Sequence, residues 1–229
     1  MARDMYGGMD GPSAWMMTRA WDATHTLLLL AMWIVMMAGM MLPSAAPMLL
    51  LYAGVLRRQE DSRPAIPRVY ALGAGYLLVW TLFSVAATAL QRVLSRILVI
   101  TPMMETATPW AAAALLALAG LYQLTPLKSM CLQSCRSPLS FITHRWKSGA
   151  SGAFRMGVEH GLYCLGCCWA LMLLLFAGGV MNLYVIAGLT MLVLIEKVMP
   201  FGGLTSRAVG VGLIALAVWV FVQSGAASA

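Results

Sequence analysis

Glu159-His160-Gly161-Leu162-Tyr163-Cys164-Leu165-Gly166-Cys167-Cys168-Trp169-Ala170-Leu171-Met172 opens an apolar run that we place at residues 153–177. A run of this length is close to the ~20 residues a helix needs to cross a bilayer. On a helix, His160, Cys164, Cys167 and Cys168 fall on one stripe, because the last three follow the first at four, seven and eight residues. The stretch therefore predicts a membrane helix and puts three thiols and an imidazole on one of its faces.

The rest of the chain agrees with that reading. Of 229 residues, 61% are hydrophobic and 10% charged, against about 45–50% and about 25% in soluble domains. We expect an all-α fold: a polytopic membrane bundle of six transmembrane helices at residues 26–56, 67–99, 109–124, 153–177, 181–198 and 205–223. Pro43 and Pro47 predict a kink in the first. Arg92 and Arg96 put the last turns of the second at the interface. Gly178-Gly179 predicts a tight turn. Residues 125–152 read as a polar link with a short amphipathic helix.

A net charge of +7 would suit nucleic acid, but the basic residues are shared among short loops, as the positive-inside bias predicts. Arg57, Arg58, Arg63 and Arg68 flank one loop. Lys128, Arg136, Arg145, Lys147 and Arg155 flank another, and Lys197 and Arg207 a third. Cytoplasmic loops are expected near residues 57–67, 125–152 and 199–206, with both termini on the outer, periplasmic side. Residues 1–25 then form an extracytoplasmic leader rich in Met (Met1, Met5, Met9, Met16, Met17), and residues 26–229 one transmembrane domain. The leader lacks a basic n-region, so no cleaved signal peptide is expected. Five Cys, an odd number, argue against a disulfide framework.

One free Cys is ordinarily a small buried hydrophobe. Three beside His160 and Glu159 at membrane depth point to function. His160/Cys164 and Cys164/Cys168 are pairs at i,i+4, about 6 Å apart. A straight helix cannot wrap four ligands round one ion, so another segment must contribute. Met32, Met36 and Met40 form one stripe on the first helix; Met37, Met41 and Met48 form a neighbouring one. Thioether and thiolate sulfur favour Cu(I), although Met also fills cores. Met36 and Met40 are therefore candidate ligands. His25, just ahead of that helix, is placed to meet an ion from outside. Cys131 and Cys135 form a further i,i+4 pair, suited to Cu(I) or zinc or to thiol redox exchange, with His144 nearby. Glu196 and Lys197 are adjacent and so face different partners. A Glu159–Lys197 pair is one arrangement, serving to hold the fourth and fifth helices together. No phosphate-binding loop, dinucleotide fingerprint or hydrolytic triad occurs.

These residues carry a resemblance. Trp33-x-x-Met36, Met40-Met41-x-Pro43, Tyr122-Gln123-x-Thr125-x-Leu127-Lys128-x-x-Cys131-x-x-x-Cys135-Arg136-x-Pro138, Gly157-x-x-x-Gly161-x-x-Cys164-x-Gly166-Cys167-Cys168-Trp169 and Glu196-Lys197 resemble the bacterial predicted metal-binding integral membrane proteins, catalogued as domain of unknown function 2182. The resemblance spans roughly residues 26–200. It implies a metal and supplies no reaction.

The expectation is a copper(I)-binding accessory factor in the bacterial cytoplasmic membrane, or an auxiliary subunit of a membrane cuproenzyme such as a monooxygenase or oxidase. It would bind no nucleic acid and is not expected to be an enzyme. Its ligands would come from His160, Cys164, Cys167, Cys168, Met36, Met40, Cys131 and Cys135, with Glu159, Glu196 and Lys197 as supporting charges. Zinc suits a Cys/His set as well. The alternatives are a membrane thiol–disulfide redox protein and a purely structural subunit of a larger membrane complex.

Overall fold

Three X-Pro steps start helices. Pro109, Pro126 and Pro138 each take the first helical position, where a missing N–H costs nothing. Two of the residues before them are caps: Thr108 Oγ1 accepts from the Ala111 N–H and Thr125 Oγ1 from the Lys128 N–H. Asn182 Oδ1 caps another helix, accepting from the Tyr184 and Val185 N–H groups. In the computed structural model, which describes residues 22–58, 65–96, 108–199 and 201–226, the order is α1 (Ala23–Arg58), α2 (Ala65–Arg96), α3 (Pro109–Gln123), α4 (Pro126–Arg136), α5 (Pro138–Arg145), α6 (Gly149–Leu173), α7 (Leu175–Gly178), α8 (Leu183–Val198) and α9 (Gly202–Ala226). No strand occurs among the described residues. The Met-rich leader lies almost wholly outside them.

The polar link, expected to hold one short amphipathic helix, holds two. α4 and α5 fill residues 126–145, and α4 turns back against α6 after a 65° bend from α3. Pro126 explains the break: its ring disfavours helical backbone at Thr125. α1 runs helically through both Pro43 and Pro47. Gly179, at φ +87°, makes the expected turn between α7 and α8.

Backbone proximity holds α2 to α6. A Cβ on Gly157 would stand 2.0 Å from the Leu72 carbonyl oxygen, and one on Gly75 2.1 Å from that of Phe154. Small residues that let two backbones meet are the usual seam of membrane helices. Gly120 and Gly210 do the same for α3 and α9: a Cβ on either would come within 3.0 Å of the other's carbonyl oxygen. α1 lies on α2, and α8 bridges α1, α4 and α9.

The core holds Trp33, Met37, Met41, Tyr76, Trp80, Cys164, Cys167, Cys168 and Phe176. The outer faces are apolar too: Val35, Leu50, Tyr70, Leu183, Tyr184 and Phe201 are exposed. That is the pattern of helices bathed in lipid. Among the described residues, four segments are long and apolar enough to cross a membrane: α1, α2, α6 with α7, and α9. The bent α3/α4 pair makes a fifth if taken as one span. α8 has 16 residues, about 24 Å against a hydrocarbon core of about 30 Å.

Candidate metal centre

The stripe on α6 faces inward. His160, Cys164, Cys167 and Cys168 are all buried. Cys164 is the hub. Its Sγ lies 2.9 Å from Lys197 Nζ and 3.0 Å from the Tyr76 hydroxyl. Lys197 also donates to Ser44 Oγ at 2.9 Å. Ser44 in turn donates to the Met41 carbonyl, which lies 3.0 Å from the Tyr76 hydroxyl. Residues from α1, α2, α6 and α8 thus meet round one sulfur. The Cys167 and Cys168 thiols both donate to the Cys164 carbonyl at 3.0 Å, which fixes their rotamers.

A second helix brings a sulfur beside the stripe. Cys135 of α4 stands 4.0 Å, Sγ to Sγ, from Cys167. With metal–thiolate bonds of about 2.3 Å, two sulfurs on one ion are about 3.8 Å apart in tetrahedral geometry and about 4.6 Å in linear geometry. The observed separation falls between these. Among the described residues, however, no three His, Cys, Asp or Glu side chains are arranged to hold one ion. The donor set fits a cation satisfied by two sulfurs.

His160 lies one turn before Cys164, wedged between the rings of Tyr76 and Phe141, with centroids at 5.8 and 5.5 Å. Its Nδ1 is buried without a hydrogen-bond partner. Trp80 Nε1 is likewise buried without a hydrogen-bond partner.

The remaining candidates divide. Cys131 rests on α6 at Gly166, where an added Cβ would stand 2.7 Å from its Sγ. The Tyr122 hydroxyl donates to the Gly166 carbonyl beside it. The two thiols of α4 therefore lie against the α6 site rather than in a separate loop, a correction that follows from the bend at Pro126. His144 does not join them: its Nδ1 is 2.9 Å from the Ser140 carbonyl in its own helix. His25 is inside α1 and buried, not ahead of it. Met37, Met41 and Met48 are fully buried core. Met32, Met36 and Met40, with Met181, line an apolar groove of about 480 Å3 between α1 and the start of α8.

The charged residues also differ from expectation. Glu159 and Lys197 do not pair. Glu159 binds Lys147 and Arg145, the latter at 3.3 Å, in a partly exposed cluster. Glu196 is held by Lys128 at 2.7 Å and by Gln123 Nε2 at 2.9 Å, all three buried. Lys128, read from the sequence as a loop cation, is therefore an interior one. Glu196 and Lys197 do have separate partners, as adjacency on a helix requires. The sequence reading missed Tyr76 and Ser44. Each is a hydroxyl within an apolar run, and a polar group at membrane depth must find a partner.

A family profile described as PpoB2, copper chaperone, matches residues 30–220, most of the chain. The chain belongs to this copper chaperone family. Comparison with curated proteins and with solved structures gives no match.

Proposed function

We propose that the protein is an integral membrane chaperone for Cu(I). It takes the ion on the thioethers of Met32, Met36, Met40 and Met181, holds it between sulfurs of α6 and Cys135, and hands it to a membrane cuproenzyme. The observation that carries this reading is the 4.0 Å approach of two buried thiols from different helices, beside a third that already receives an ammonium. Soft sulfur donors select Cu(I) among biological cations. A pair, rather than a foursome, suits a closed-shell monovalent ion that accepts two ligands. Transfer proceeds by ligand exchange: one metal–sulfur bond forms as another breaks, with no change in oxidation state.

The setting we propose is the bacterial cytoplasmic membrane, with six spans counting α8 and the bent α3/α4 pair. Both termini and the Met groove would then face outward and the partly exposed Glu159 cluster inward. The basic residues of α5 and of the 57–67 loop support that orientation. Copper analysis of anaerobically purified protein tests the site. About one copper per chain is expected, as one two-sulfur site implies, and it should be lost in Cys135→Ser and in Cys167→Ser. Equal copper in all three proteins would remove the thiols from the account.

The 4.0 Å thiol pair favours one other reading: a Cys135–Cys167 couple that forms a disulfide. Alkylation mass shifts with and without reductant separate the two. Thiols that stay reduced in every oxidant leave the copper reading alone.

A further inference from the structure

A polar cavity of about 290 Å3 opens where α4, α5 and α6 meet, and no thiol lines it. Ser134 of α4, Ser137 at the turn, Ser140 and Arg145 of α5, and Tyr163 of α6 surround the buried ring of Phe141. Its size is at the lower end of the ~300–1,000 Å3 that ligand pockets span, which suits a small group. Arg145 supplies the charge. Its guanidinium donates to Glu159 Oε2 at 3.3 Å and to the Tyr163 hydroxyl at 3.1 Å, and it carries more N–H donors than those two bonds use. Lys147 meets the same carboxylate, so two cations share one anion and a positive charge is left over. The Ser137 hydroxyl caps no amide of α5, and Ser137 and Ser140 are both exposed. Among the described residues no carboxylate lines the cavity. Hydroxyl donors around a guanidinium are the chemistry of an anion site.

The rim of the cavity names the source of the anion. The partly exposed cluster of Arg145, Lys147 and Glu159 marks where α6 meets water. Tyr163 lies one turn further along α6, at the level where tyrosines gather in membrane proteins. Bare apolar side chains stand beside the polar ones: Leu139 is 59% exposed, Leu162 55% and Met130 65%. Leu139 lies between Ser137 and Ser140, and Leu162 precedes Tyr163. Met130 is one turn before Ser134, whose hydroxyl donates to its carbonyl at 3.3 Å. An anion pocket edged in this way matches a ligand with a charged head and hydrocarbon tails. Basic pockets between membrane helices are where anionic headgroups lodge. We propose that the cavity binds the phosphodiester headgroup of one anionic phospholipid. Arg145 and the hydroxyls of Ser137 and Ser140 hold the phosphate oxygens, and the acyl chains run over Leu162 and Met130. The single negative charge of a phosphodiester balances the positive charge left at the rim. This site goes beyond the copper reading and does not depend on it.

The experiment is native mass spectrometry of the full chain in mild detergent with equal amounts of phosphatidylglycerol and phosphatidylcholine, counting the lipids that stay bound. Wild type should retain one phosphatidylglycerol in preference to phosphatidylcholine, a result that needs no variant. In Arg145→Gln that preference should fall at least about tenfold, as loss of a charged hydrogen-bond donor implies. The double variant Ser137→Ala/Ser140→Ala, which touches no ion pair, should lower it about fivefold, as loss of two neutral donors implies. Arg155→Gln serves as the control, because Arg155 is exposed near the start of α6 and does not line the cavity; it should leave the preference unchanged. Equal retention of the two lipids by wild type would overturn the proposal, whether or not any variant folds. So would an unchanged preference in a folded Arg145→Gln, or an equal fall in Arg155→Gln, which would assign the effect to diffuse surface charge. Displacement of the lipid by millimolar glycerol phosphate would assign the cavity to a soluble phosphate and overturn the lipid as its occupant.

Discussion

The two buried lysines of this bundle live in opposite surroundings. Lys128 sits in a closed network. Its ammonium meets Glu196 at 2.7 Å and the Gln123 side-chain oxygen; Gln123 returns a bond to Glu196; and Ser206 donates to Gln123 at 3.1 Å. Four helices, α3, α4, α8 and α9, are joined there, and each charge has its opposite. Lys197, one residue past Glu196, has a sulfur and a hydroxyl for partners, and the imidazole nearby has an unpaired nitrogen. A satisfied polar network rigidifies a bundle, whereas an incompletely satisfied one costs stability. An ionisable residue at membrane depth is a candidate for function. The contrast separates a structural clamp from the proposed binding site at adjacent positions of α8.

The largest effect is expected at the clamp. Glu196→Leu strands the Lys128 ammonium and should cost about 3–5 kcal/mol, read as a large drop in the unfolding midpoint in detergent. Adding Lys128→Leu should restore much of it. Lys197→Met, which removes a cation with no carboxylate partner among the described residues, should leave the midpoint nearly unchanged. If it destabilises as much as Glu196→Leu does, the two lysines are not different in kind.

Next comes the α2/α6 seam that carries the site. Gly157→Ala drives a methyl toward the Leu72 carbonyl and should cost about 1–3 kcal/mol, as overpacking does. Cys135 would withdraw from no seam of this sort, so Cys135→Ser should stay within about 1 kcal/mol of wild type yet lose copper. Unfolding curves paired with metal analysis test both. At the bottom of the scale, Lys147→Ala removes one of two cations from a partly exposed carboxylate. It should change stability by less than about 1 kcal/mol, an effect that salt titration should erase.

Much of this was visible before any coordinates. The apolar runs gave helices α1, α2, α3, α6, α8 and α9 to within a few residues, because burial in lipid requires long uninterrupted apolar segments whatever the packing. The thiol stripe on α6 was equally legible, since helical pitch alone puts His160, Cys164 and Cys168 in line. Residues 125–152 were the weak point. Their polarity read as a loop, although Thr125-Pro126 is a helix start, and the Lys128 charge is concealed by a carboxylate 68 residues away.

Sequence by itself settled that the chain is a bundle of apolar helices and that one of them carries a row of thiols. Those properties depend on neighbours three or four positions apart. Only the tertiary structure decided which lysine clamps and which attends the thiols, that Tyr76 and Ser44 complete the hub, and that Cys135 comes from α4 to face Cys167. Those pairings join residues 32 to 153 positions apart, and glycine-to-backbone contact between helices, which has no local periodicity to betray it, sets their register.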